Sequence, residues 1–104
     1  MAIVRFEVGP CDDDAFFYLD GSRVLALRLG EHRVFTRDLR DGAHAMRLIV
    51  VNSGAYAWAA KLNVTCGGHT ICSIDQAGNT GPAAGTIFNE RWDFEIEAGG
   101  LRGR

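Results

Sequence analysis

From Tyr56 to Cys66 the chain alternates almost without a break. Tyr56, Trp58, Ala60, Leu62, Val64 and Cys66 fall on one side, and Ala57, Ala59, Lys61, Asn63 and Thr65 on the other. Phe88–Glu97 repeats the device, with Trp92, Phe94 and Ile96 set against Arg91, Asp93, Glu95 and Glu97. Successive residues of a strand point to opposite faces, so alternation of this length marks a sheet with one buried and one wet face. It constrains the chain to antiparallel β structure and assigns both tryptophans to the interior.

The rest of the chain keeps this rhythm. Its 104 residues suit one domain with one core, and 13 glycines against 2 prolines imply tight turns between short strands. Strands are predicted at residues 2–9, 15–20, 23–29, 33–39, 43–52, 56–66, 70–76 and 86–97. Asp20-Gly21, Asp41-Gly42 and Asn52-Ser53-Gly54 supply turns. Phe17 and Leu19 point inward on the second strand, Leu25, Leu27 and Leu29 on the third, and Met46, Leu48 and Val50 on the fifth. The expected fold is all-β, a single antiparallel β-sandwich of about eight strands, jelly-roll or Greek-key in type. The domain spans residues 1–98. Residues 76–85, small and glycine-rich, read as a surface loop, and the Gly-rich stretch 99–104 as a disordered tail. The predicted core is Phe6, Phe17, Leu27, Leu48, Trp58, Leu62, Val64, Trp92, Phe94 and Ile96.

Net charge is -2 with a pI near 5.8, and Lys and Arg are scattered along the sequence. Without a basic stripe to follow a phosphate backbone, nucleic acid is not an expected partner. No apolar run reaches membrane-spanning length, so no membrane role is expected. The start, Met-Ala-Ile-Val-Arg-Phe, lacks a signal-peptide layout, which leaves a cytoplasmic protein or a module from an exported chain.

Cys11, Cys66 and Cys72 cannot all pair within one chain. A three-residue Gly67-Gly68-His69 turn would set Cys66 opposite Thr70 and place Cys72 and Ile74 on the core face. A two-residue Gly-Gly turn would set Cys66 opposite His69 and turn Ile71 inward. The first buries more apolar area. It makes the two sulfurs diagonal neighbours, a strained geometry for a bridge, so buried free thiols are expected. The spacing matches no standard zinc pattern.

Two features carry candidate binding chemistry. Asp12-Asp13-Asp14 lies between strands; a calcium ion held by Asp12, Asp14 and Asp75, with Asn79, Asp20 or backbone carbonyls completing the shell, would relieve its repulsion. The alternative is a solvated acidic loop that blunts a sheet edge. Phe16 and Tyr18 share the outer face of one strand. With Tyr56, they offer rings on which a sugar or peptide could stack; alternatively, a partner covers them. Asn79 is a further candidate ligand residue. Ile49 and Val51, also on an outer face, raise the alternative of homo-oligomer assembly. His32, His44 and His69 sit at turns or strand starts, where histidine is usually solvated, and no serine occupies a nucleophile elbow. Glu90 shares the parity of Trp92 and is expected half-buried at the rim of the core. Cys11 beside three carboxylates is disfavoured as a thiolate. No enzyme is expected.

The run Tyr18-Leu19-Asp20-Gly21-Ser22-Arg23-Val24, followed by Leu39-Arg40-Asp41-Gly42-Ala43-His44, resembles the hairpin scheme of PEGA-type surface domains. Residues 16–67 are also similar to small calcium-dependent carbohydrate-binding modules of the xylan-binding kind. There an Asp-Gly strand and a later His…Asn run lead into a strand ending in glycine, here Thr65-Cys66-Gly67. Ser53 stands where those modules usually carry an acidic calcium ligand. The likeness implies a β-sandwich and a non-catalytic role, and carries over no metal or sugar site. The leading expectation, a binding module with glycan as its ligand, comes instead from an acidic small sandwich with unplaced aromatics, glycine-rich loops and no catalytic set.

Overall fold

A computed structural model of the chain describes residues 2–52, 57–79, 81–82 and 85–102. Nine strands form: β1 (Ala2–Val8), β2 (Asp14–Leu19), β3 (Ser22–Leu27), β4 (Arg33–Leu39), β5 (Gly42–Asn52), β6 (Ala57–Cys66), β7 (His69–Asn79), β8 (Gly85–Glu97) and β9 (Gly100–Leu101). They make two antiparallel sheets, one of order β4-β1-β6-β7 and one of order β3-β2-β5-β8-β9. The described residues contain no helix. The chain crosses between the sheets after β1, β3, β4, β5 and β7, so each sheet interleaves strands distant in sequence.

Alternation governs burial. On β1, Ala2, Val4, Phe6 and Val8 are buried; on β5, Met46, Leu48 and Val50 are. The sheets meet through three phenylalanines. Phe6 of β1 lies 5.6 Å from Phe17 of β2 and stacks at 4.9 Å on Phe35 of β4, which meets Phe17 edge-on at 6.3 Å. Rings in offset and tilted contact fill the space between two sheets with little void. Trp58 and Trp92 face the core but are only partly buried, packing against its rim. Trp58 sits opposite Gly78, and its indole covers that glycine so closely that a Cβ there would lie 2.6 Å from Nε1.

β4 is an edge strand, and its inward parity carries Arg33 and Arg37 beside Phe35. The Arg37 guanidinium lies 5.5 Å from the Phe35 ring centre. Inward-facing charge of this kind discourages edge-to-edge pairing with another chain.

Several local expectations change. The β6–β7 turn is the two-residue Gly67-Gly68, with both φ angles positive (56° and 81°) and Cys66 opposite His69. A bulge at Ile71 then restores Val64 opposite Cys72, so Cys72 still turns inward. Two glycines suit the primed turn that matches strand twist, and the bulge shifts the parity of the residues beyond it on β7. Cys11, Cys66 and Cys72 are all buried free thiols. Leu29 falls beyond β3 and is exposed, because the chain turns after Leu27, with the Glu31 amide donating to the Arg28 carbonyl and Gly30 at φ 77°.

β7 runs to Asn79 and shortens the loop expected at 76–85. Gly100–Leu101, expected in a disordered tail, pair with Ile96–Glu97 as β9. The Asp41 carboxylate accepts from the Ala98 and Gly99 amides at 3.2 and 3.3 Å, and Arg102 bonds to Glu95. These contacts order the final hairpin.

Candidate functional site

Burial of Phe17 and Leu19 forces Phe16 and Tyr18 of β2 onto the outer face of the five-stranded sheet. Burial of Met46 and Leu48 does the same for Arg47 and Ile49 of β5. Cross-strand register then assembles a row no linear reading displays. Tyr18 pairs with Arg23 on one side and Arg47 on the other, and Arg47 pairs with Arg91 of β8. In the adjoining row Phe16 pairs with Ala26 and Ile49, and Ile49 with Asn89.

The face is therefore aromatic at its centre and basic along one line. The Arg23 guanidinium carbon lies 5.9 Å from the Phe16 ring centre, within cation–π range. Arg47 donates to the Asn89 side-chain oxygen, a neutral acceptor. Arg91 pairs with Asp93 at 3.1 Å. Among the described residues, Arg91 alone of the three arginines forms an ion pair with a carboxylate. A surface hollow of about 420 Å³ opens over Tyr18, Arg47, Ile49 and Arg91, with Asp20 and Gly21 at one end.

The other candidates are dispersed. Asp12 lies in the β1–β2 loop, its backbone bridged to Ala59. Burial, aided by the neighbouring Asp13 charge and by a hydrogen bond that the protonated Asp12 carboxyl donates to Asp13, raises the Asp12 carboxyl above the usual carboxylate range. Asp14 opens β2 opposite Val51. Asp75 belongs to the other sheet, opposite Lys61 on β7, and lines a separate hollow with Glu7 and His32. Among the described residues no three His, Cys, Asp or Glu side chains group to hold a metal ion. Asn79 ends β7, where its side chain accepts from the Gly81 amide at 2.7 Å. Tyr56 lies outside the described residues.

Of the three histidines, His44 departs from the solvated expectation, while His32 and His69 are exposed. His44 is buried at 7% exposure, stacked at 5.6 Å on Phe94. Its parity with Met46 is the signal that could have placed it inside. His32 pairs with Glu7 at 2.9 Å, and that hydrogen bond leads the effects holding the Glu7 carboxyl below its usual value. Glu90, expected half-buried, is exposed; it sits opposite Leu48 of β5, and β9 reaches the other edge of β8 only at Ile96 and Glu97. Burial pushes the Cys72 thiol up to about 11 and raises Cys11 as well, so burial itself keeps these thiols protonated.

Set against known proteins, the chain matches no family model, no curated protein and no solved structure. A functional reading therefore rests on the geometry of this face.

Proposed function

We propose that the chain is a non-catalytic binding module that recognises carbohydrate on the outer face of its five-stranded sheet. The observation that supports this reading is the pairing of Phe16 and Tyr18 on one strand, both partly exposed and flanked by Arg47 and Ile49. A sugar ring presents a C–H face that packs on an aromatic ring, and hydroxyls that need donors and acceptors at the edge. Tyr18 supplies both a ring and a hydroxyl, and Arg47 supplies planar donors. The strands beneath are held on both sides in the middle of the sheet, so the platform is rigid before ligand arrives.

A glycan array probed with the wild-type chain and with Tyr18→Ala tests the reading. Signal lost in the variant supports it; no binding by wild type at high protein concentration rules it out. Running the array with and without calcium tests whether Asp12, Asp14 and Asp75 contribute a metal-dependent site.

A second reading draws on Ile49 and Val51, partly exposed apolar residues on the same face. Here the face assembles copies of the chain, and the protein is a structural domain. Light scattering across a concentration series separates the two: self-association suppressed by Ile49→Lys favours assembly, and a strict monomer favours the ligand.

A further inference from the structure

We infer that the sugar taken by this face is acidic, a glycan bearing carboxylate or sulfate groups, recognised by the cross-strand row Arg23–Tyr18–Arg47–Arg91. The inference rests on the carbohydrate reading above and narrows its ligand class.

The chain as a whole is acidic, with formal net charge -2, yet one line across four adjacent strands carries three guanidinium groups. Arg23 rests beside a ring and Arg47 on a neutral amide, so neither has its charge neutralised by an ion pair among the described residues. Asp93 is committed to Arg91. Asp20, at the end of the hollow, is held by the Ala45 amide at 2.9 Å and by His44 at 2.7 Å. Like charges directly opposite across strands destabilise a sheet, and the Arg47–Arg91 pair is such a contact. An anion laid along the row relieves that repulsion.

Geometry selects the kind of anion. Neighbouring strands are about 5 Å apart, so the row spans on the order of 15 Å, the reach of a short oligosaccharide rather than a single ion. Guanidinium is planar and presents paired N–H donors that match the two oxygens of a carboxylate or sulfate. The Tyr18 ring sits within the row, and the Phe16 ring lies beside it. Anionic groups spaced along a chain of stackable rings satisfy both features at once, whereas a neutral sugar leaves the arginines unanswered.

Affinity electrophoresis through gels containing one of four polymers provides the test. The polymers are polygalacturonate, its fully methyl-esterified form, dextran sulfate and a single-stranded oligonucleotide. The wild-type chain should be retarded by polygalacturonate or dextran sulfate, at least about tenfold more strongly than by the neutral ester, and retardation should fade as salt rises from about 50 to about 300 mM. Whichever acidic polymer retards more identifies the anion. Arg47→Gln and Arg23→Gln should each weaken acidic retardation by roughly two- to fivefold, while Tyr18→Ala should weaken retardation by every sugar polymer.

Equal retardation by the ester and the acid overturns the acidic inference and leaves the carbohydrate reading standing. No retardation by any sugar polymer overturns both. An oligonucleotide bound as tightly as the acidic polysaccharide overturns the inference in favour of a general polyanion face. Acidic retardation unchanged in both arginine variants also overturns it, by moving the site elsewhere.

Discussion

The buried imidazole of His44 donates to the Asp20 carboxylate, Nδ1 lying 2.7 Å from Oδ2, while Nε2 lies 2.8 Å from the Arg40 carbonyl oxygen. Both partners are acceptors only, so both ring nitrogens carry protons and the ring is an imidazolium. This cation ties the β2–β3 turn to the β4–β5 turn, under the end of the arginine row.

Burial pushes the His44 pKa down, but the Arg40 carbonyl and the Asp20 carboxylate together outweigh it and leave it above the ordinary 6.5. A folded-state value above the unfolded one gives stability that is fully present below about 6.5 and is lost as pH rises through the raised value. Urea unfolding should therefore show a less stable protein at pH 8 than at pH 6. Asp20→Asn should flatten that difference, since a neutral amide no longer favours the cation. His44→Ala, which also removes packing against Phe94, should cost about 1–3 kcal/mol. Arg91 and Asp93 line a second hollow with His44, Asp20 and Arg40; because His44 itself is buried, salt should damp the pH effect only in part.

Gly78 is required by the indole that covers it. In Gly78→Ala the new methyl group would meet Trp58 atoms at 2.6 to 2.9 Å, closer than van der Waals contact allows. The ring must move or β7 must shift, at a cost of about 1–3 kcal/mol. Tryptophan emission should move to longer wavelength as the indole is pushed toward water. Gly68→Ala, where a Cβ would have open space but φ is 81°, tests backbone strain separately and should leave the emission unchanged.

The final hairpin depends on one carboxylate. Asp41→Ala removes the acceptor for the Ala98 and Gly99 amides. Amide exchange at Gly100, Leu101 and Arg102 should accelerate, while global stability falls by no more than about 1.5 kcal/mol.

Native thiols should be inert. Cys11, Cys66 and Cys72 are each at most 5% exposed, and burial keeps Cys72 protonated up to about pH 11. A thiol-specific reagent at neutral pH should titrate none of the three in the folded chain and all three in urea.

Much of the fold is legible in period-two alternation, because one buried face fixes register over long strands such as β5 and β6. Legibility fails where a single residue shifts the parity. The Ile71 bulge combines a two-residue turn with an inward Cys72, two features that uninterrupted alternation makes exclusive. β9 is hidden because its order comes from Asp41, distant in sequence, rather than from its own glycine-rich composition. The candidate face divides the same way. Phe16 and Tyr18 follow from their neighbours' burial, whereas Arg23, Arg47 and Arg91 look scattered until strand order places them in one line. Pairing between distant strands leaves no trace in local composition.

The most direct measurement of the central claim is a two-dimensional NMR titration of the labelled chain with an oligosaccharide selected from the glycan array. Progressive shifts should concentrate at Phe16, Tyr18, Arg47, Ile49 and Arg91, and should vanish in Tyr18→Ala. Shifts confined to the β4-β1-β6-β7 sheet, or unchanged by that substitution, would contradict recognition on the outer face of the five-stranded sheet.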